Sequence, residues 1–213
     1  MKKFIPKLIC FDLDNTLIKG RSWKNLNLAL GVTLKENNSY YNAYKDGVLN
    51  YLEWRKRLEK LYKKRGLATK QRVLEAISNF SYNQGAKETV NYLRQKGYRL
   101  CILSGAISVL VERVANELKI PLWSTNNVFK FDRANRLKRF LCLGDEEDFK
   151  LKMLKKYCRT YKIGVTESLF VGDEENEIPI FQACKHGVTF RGLKVEKYAW
   201  KVIDILTDLK EII

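Results

Sequence analysis

A short, largely apolar run, Lys7-Leu8-Ile9-Cys10-Phe11, stops abruptly at Asp12-Leu13-Asp14. Consecutive apolar residues closed by carboxylates describe a strand buried on both faces, and such strands belong to parallel sheets. The grammar beyond Gly85 repeats this theme. A helix to Gln95 and Gly97 precedes a strand over Tyr98 to Leu103, and a second helix runs from about Ile107 to Leu118. A strand follows at Ile120 to Ser124, and two basic-apolar segments near 127–131 and 136–142 are able to pair as a hairpin. Asp145 is placed to cap a helix reaching about 160, Leu169 to Val171 is a strand, a helix lies near 176–184, and Val188 to Phe190 is the last strand. Strands alternating with helices predict an α/β fold, a Rossmann-like parallel sheet covered on both faces.

Between the first strand and this series stands a purely helical stretch. Ser22 is a candidate cap for a helix carrying Trp23, Leu26 and Leu30, and Tyr40, Tyr41 and Tyr44 form the aromatic face of a second. Asn50 with Glu53 reads as a capping box ahead of Tyr51, Trp54, Leu58 and Tyr62, and Thr69 opens a fourth helix with Val73 and Ile77. Aromatic stripes at this spacing are the seams of a small bundle. The expected organisation is therefore a catalytic core of residues 1–19 and 85–213, with an all-helical cap inserted at 20–84.

A chain of 213 residues suits one domain with a modest insertion. No apolar run approaches the ~18 residues of a membrane span, and the Met1-Lys2-Lys3 start lacks a secretory core. Five cysteines with no two-residue spacing exclude a zinc ribbon and fit a reducing compartment, so a cytoplasmic location is expected. The single histidine, His186, reads as a loop residue, which disfavours Ser-His-Asp chemistry and multi-histidine metal sites. Carboxylates must carry the chemistry. A net charge of +16 points to an anionic partner.

The carboxyl ends of parallel strands line the ligand crevice of an open α/β sheet. Alternation turns Asp12 and Asp14 to the same side, with Leu13 toward the core. Two carboxylates so close call for a cation, and oxygen-only ligation favours Mg²⁺, which completes its shell with water and phosphate. Three further positions fall at comparable places. Ser104-Gly105 offers a hydroxyl and backbone amides, Asp173 adds a carboxylate after Val171-Gly172, and Lys150 supplies a point charge.

With these motifs the chain resembles the phosphatases of the haloacid dehalogenase superfamily, and its inserted helices are similar to the cap of the phosphoserine phosphatase-like subgroup. Phe11-Asp12-Leu13-Asp14-Asn15-Thr16-Leu17 corresponds to the first motif, Ser104-Gly105 to the second, Lys150 to the third and Gly172-Asp173-Glu174-Glu175-Asn176-Glu177 to the fourth. The resemblance implies that Asp12 is a nucleophile forming an aspartyl-phosphate and that Asp14 is the acid and then the base. It implies Mg²⁺ held by Asp12, the Asp14 carbonyl and Asp173, and equatorial phosphoryl oxygens held by Ser104, the Gly105 amide and Lys150. Thr16, Asn176 and Glu177 would brace these groups. Asp14 favours a phosphatase over a dehalogenase, because a halide departs without a proton.

Two features depart from the family pattern. Glu177 stands where the fourth motif usually ends in aspartate, with Glu174 replacing a glycine. Arg21 replaces the glutamate that holds the ammonium of phosphoserine, so phosphoserine is not the default substrate. Residues 20–84 hold thirteen Lys or Arg against five Asp or Glu, a net +8. If Arg21, Arg55 or Arg57 faces the cleft, the substrate is a small phosphorylated metabolite carrying extra negative charge. Outward-facing charge would be mere solvated surface. Trp23 and Trp54 either close over a substrate or pack within the bundle. The competing readings are a phosphatase of nucleotides or nucleic-acid ends, for which no RNA-binding motif speaks, and a non-catalytic binding protein retaining the fold.

Overall fold

The computed structural model describes residues 4–213, so the Met1-Lys2-Lys3 start lies outside the described residues. Strand β1 (Leu8–Phe11) is followed by helices α1 (Ser22–Ala29), α2 (Leu34–Lys45), α3 (Tyr51–Arg65) and α4 (Lys70–Ala76). Then come α5 (Ala86–Gln95), β2 (Leu100–Ile107), α6 (Ser108–Leu118), β3 (Leu122–Phe131), β4 (Leu137–Cys142) and α7 (Glu146–Thr160). The chain continues through β5 (Ser168–Val171), α8 (Ile178–Cys184), β6 (Gly187–Phe190), β7 (Lys201–Ile203) and α9 (Leu209–Ile212).

The strands form one sheet in the order β4-β3-β2-β1-β5-β6-β7, with β4 antiparallel to β3 and the other pairs parallel. Every residue of β1 is fully buried, because alternate side chains enter two different cores. Ile9 and Phe11 join a cluster with residues of α5, α6 and α9, whereas Leu8 and Cys10 join one with residues of α7 and α8. That two-sided burial explains why β1 reads as a continuous apolar run rather than an alternating one. The expected α/β class, with helices on both faces, is what forms.

Three expectations need correction. Strand β2 does not stop at Leu103 but runs through Ser104-Gly105 to Ile107, because β3 keeps pairing with it past a shift in register between Ser104 and Ile107. The segments expected as separate strands near 120–124 and 127–131 are one strand, β3, which pairs with β2 over its first half and with β4 over its second. Strand β7, absent from the sequence reading, is only three residues long, and its apolar content is too short to register as a period.

The helices between β1 and α5 stand on the β3–β4 hairpin. Phe129 and Phe140 of the hairpin pack at 4.8 Å between ring centres and meet Tyr62 of α3 and Trp23 of α1. Capping boxes at Thr33/Glu36 and Asn50/Glu53 start α2 and α3, and Thr69 caps α4 through the Arg72 amide. Ser22 does not cap α1: its side chain is drawn to Asp14 instead. His186 stacks on Phe4 beside Trp200 just before the amino end of β6, a packing role outside the cleft. Among the described residues no helix is long and apolar enough to cross a membrane.

Candidate active site

The cleft lies between the carboxyl ends of the strands and the helices above them, with a volume of about 1040 Å³. Its floor begins where β1 ends. Asp12 is buried immediately beyond the strand, and the chain then turns through Asn15, which adopts the left-handed conformation at φ 55°. The Asn83 side-chain amide holds this turn by donating to the carbonyls of Asn15, Thr16 and Ile18. Asn83 was not legible as a functional residue, since a lone asparagine before a helix reads as an ordinary cap.

Asp14 is oriented by one residue. Its Oδ2 accepts from the Ser22 amide at 3.0 Å and from the Ser22 hydroxyl at 2.8 Å, while its Oδ1 is buried without a hydrogen-bond partner. Burial, and then the neighbouring Asp12 carboxylate, pushes Asp14 up to about 7. Burial likewise raises Asp12 to about 6 against the opposing pull of Lys150. Asp173, following β5, is raised to about 8 by burial and by the Asp12 and Glu174 charges. Thr16 lies beneath, its hydroxyl 3.5 Å from Asp173 Oδ1, and Asn176 lines the cleft with a buried, unpartnered Oδ1.

Lys150, one turn into α7, is buried with its ammonium 2.9 Å from each of Asp12 Oδ1, Glu146 Oε1 and Glu177 Oε1. Desolvation alone would lower its pKa, but the three carboxylates outweigh it and hold Lys150 charged well above its ordinary range. The Glu177 contact is an aligned hydrogen bond, whereas Asp12 Oδ1 has a charge contact without hydrogen-bond alignment. Glu177 is fully buried, and its other oxygen accepts from the Glu174 amide at 3.0 Å. Gly172 makes room for it: a Cβ there would sit 2.0 Å from Glu177 Oε2. The longer side chain in place of the usual aspartate thus reaches Lys150.

Carboxylate oxygens of Asp12, Asp173 and Glu177 lie within 4.8 Å of one another. Asp14 and Glu146 line the same cleft, the Lys150 ammonium contacts only Asp12, Glu146 and Glu177 among these carboxylates, and oxygens of Asp12 and Asp14 are left without hydrogen bonds. An oxygen-only donor set with excess negative charge fits a hard divalent cation such as Mg²⁺.

Ser104 and Gly105 line the cleft within β2 rather than in a loop after it. The Ser104 hydroxyl oxygen accepts from the Ala106 amide at 3.1 Å, which leaves its proton to be donated. The Gly105 carbonyl is spoken for, accepting from Trp23 Nε1 at 2.9 Å and from Asn127 Nδ2 at 2.7 Å.

The roof is built by α1, α2 and α3. Arg55 is buried, with its guanidinium carbon 3.9 Å from the Trp23 ring centre, 4.2 Å from Trp54 and 4.6 Å from Tyr51. It donates to the Tyr51 hydroxyl at 2.9 Å, but its Nε and one terminal nitrogen have no hydrogen-bond partner. Both tryptophans line the cleft while also packing in the bundle. Arg57 does not reach the cleft. It is exposed, 6.0 Å above the Tyr40 ring, because it falls two residues along the helix on the outward face. Of the thirteen Lys and Arg among residues 20–84, Arg21, Lys24, Lys45 and Arg55 line the cleft, and the other nine are exposed.

Arg21 sits at the rim, where it pairs with Glu174 and donates to the Tyr41 hydroxyl at 2.8 Å. The two departures at positions 21 and 174 therefore meet in space and neutralise each other. A bare cation at the entrance, as the sequence suggested, is not what the fold presents.

The haloacid dehalogenase-like hydrolase family model matches residues 6–185, and the chain belongs to that family. Full-length similarity runs to phosphoserine phosphatases. The enzyme of Methanocaldococcus jannaschii is 25% identical over 97% of this chain and 96% of its own, and that of Streptococcus thermophilus is 24% identical over 96% and 98%. A solved phosphoserine phosphatase in complex with substrate has the same fold, with a TM-score of 0.77 at 22% identity over 98% of this chain and 99% of that one. A phospho-aspartyl intermediate analogue of phosphoserine phosphatase superposes with a TM-score of 0.76 at 24% identity over the whole of both chains.

Proposed function

We propose that this hydrolase is a Mg²⁺-dependent phosphomonoesterase acting through an aspartyl-phosphate on Asp12, with residues 20–84 forming a cap over a core of 1–19 and 85–213. The observation that carries the reading is the meeting of Asp12, Asp14, Asp173 and Lys150 at the floor of one cleft. Asp12, at the end of a rigid central strand, attacks phosphorus and forms an acyl phosphate, so one difficult displacement becomes two easier ones. Asp14 is held by Ser22 through one oxygen, and its other oxygen is free to protonate the leaving group and then accept a proton from water. Ser104, the Gly105 amide and Lys150 are the donors for the equatorial oxygens. Mg²⁺, held by Asp12, Asp173 and the Asp14 carbonyl, would neutralise phosphoryl charge. Glu177 keeps Lys150 extended toward this seat, Thr16 braces Asp173, and Asn176 lines the cleft with an unpartnered oxygen.

The roof supports a substrate whose leaving group bears a second anion. Arg55 lines the cleft and has two nitrogens without a hydrogen-bond partner, and a buried donor left unpaired costs about 1–3 kcal/mol that a ligand carboxylate or phosphate would recover. Neutralisation of Arg21 by Glu174 brings phosphoserine back among the candidates. The expected result is Mg²⁺-dependent hydrolysis of an aryl phosphate, lost on chelation and abolished in Asp12→Asn. A panel of phosphoserine, sugar phosphates and nucleotides, assayed by phosphate release, identifies the leaving group. Unimpaired turnover in Asp12→Asn would refute the mechanism.

A further inference from the structure

Glu146 is a first-turn residue of α7 with no place in the reaction so far. It falls one helical turn before Lys150, so both side chains emerge on the same face of α7. Its carboxylate lies 2.9 Å from the Lys150 ammonium and directly against the Gly105 backbone, where a Cβ would come within 2.0 Å of Oε2. Burial would raise this carboxyl, but Lys150 foremost, then Arg55 and the Gly105 amide, more than offset it and hold Glu146 ionised below its ordinary range. A negatively charged group thus rests on two of the three donors assigned to the phosphoryl oxygens.

Resting on the phosphatase reading above, we propose that Glu146 is an internal competitor for the phosphoryl seat, occupying the Gly105–Lys150 donors until a substrate phosphate displaces it. A carboxylate and a phosphoryl group cannot share those donors, since two anions at hydrogen-bonding range repel strongly in a buried cleft. The seat is consequently selective. A dianionic phosphoryl group that is also anchored through its leaving group outcompetes Glu146, whereas free inorganic phosphate, with no second anchor, does so poorly. After hydrolysis the same carboxylate returns to the donors and favours release of inorganic phosphate.

Glu146 has room to leave. Its side chain is 20% exposed, unlike Lys150 at 1%, and Lys150 keeps Asp12 and Glu177 as partners when it goes. Glu146→Gln preserves shape and removes the competing charge, while exposed Glu147 next to it provides the control Glu147→Gln.

The test is calorimetric titration of each protein with inorganic phosphate in Mg²⁺ buffer near neutral pH, alongside the KM for an aryl phosphate. Glu146→Gln should bind phosphate tighter by roughly tenfold or more, the order expected from removing one charge at contact distance. Its KM should fall in parallel, its product inhibition should strengthen, and Glu147→Gln should match the parent. Unchanged or weaker phosphate binding by Glu146→Gln, with a melting temperature close to the parent's, would overturn the proposal and make Glu146 a support for Lys150. Undetectable binding by both forms, while the parent still hydrolyses the aryl phosphate, would overturn it as well. No turnover by the parent in Mg²⁺ would instead remove the phosphatase reading, and this inference with it.

Discussion

Lys150 in the floor of the cleft and Arg55 in its roof are both buried cations, yet the protein treats them in opposite ways. Lys150 is surrounded by three carboxylates at 2.9 Å. Arg55 has aromatic faces, one tyrosine hydroxyl and no carboxylate in salt-bridge contact, with two nitrogens left unpaired. Burying a paired charge still costs desolvation, but removing one partner costs more, so Lys150 is tied into the architecture of the floor. Arg55 has only the more distant charge of Glu146 and cation–π contacts of about 0.5–2 kcal/mol to offset its burial. The floor surrounds its cation with carboxylates, whereas the roof leaves nitrogens of its cation without a partner.

The contrast is most exposed to refutation at Lys150. Lys150→Met leaves the buried Asp12 and Glu177 carboxylates, with half-buried Glu146 beside them, without their cation, so it should destabilise the fold by about 3–5 kcal/mol and abolish turnover. Thermal melting and aryl phosphate hydrolysis read both. A variant that melts like the parent would show that Lys150 is not an electrostatic keystone.

Arg55→Met probes the other half. Replacing a poorly compensated buried charge by an apolar side chain of similar volume should leave the melting temperature unchanged or raised. KM for substrates with a second anion should nevertheless rise by roughly 10- to 100-fold, against little change for an aryl phosphate. Loss of stability in this variant would erase the distinction between floor and roof.

Asn83→Ala tests the floor where no charge is involved. Three carbonyls of the Asp14 turn lose their donor, so a loss of about 1–3 kcal/mol is expected, with kcat falling more than KM rises. The smallest effect belongs to the rim. Arg21 and Glu174 are 51% and 38% exposed, and Glu174→Ala should cost no more than about 1 kcal/mol while freeing Arg21 to attract anions. KM for dianionic substrates should therefore fall slightly in that variant and rise in Arg21→Ala, a pair of opposite signs measurable by steady-state kinetics.

The difference between floor and roof also governs how much could be read from the chain. The floor residues sit at strand ends and helix starts, where an apolar run followed by Asp-x-Asp or Gly-Asp announces both element and position. Asp12, Asp14 and Asp173 were legible for that reason, whereas Ser104, which lies within β2, and Lys150 stood out only together with them in the family's motif order. The roof offered only helical periodicity, which places residues on faces without saying what those faces meet. Arg55 and Arg57, two positions apart, were indistinguishable until α3 docked on the hairpin and turned one inward.

Local chemistry in the chain therefore determined the α/β alternation, the helical insertion and which carboxylates stand at the strand ends, because each depends on spacing within a few residues. Packing decided the rest. That Glu177 would reach Lys150, that Arg21 would be neutralised by Glu174, and that Glu146 would rest against Gly105 are contacts between residues 27, 153 and 41 positions apart. Only the closing of helices over the sheet brings such charges together, and electrostatic pairing at contact distance leaves no trace in sequence order.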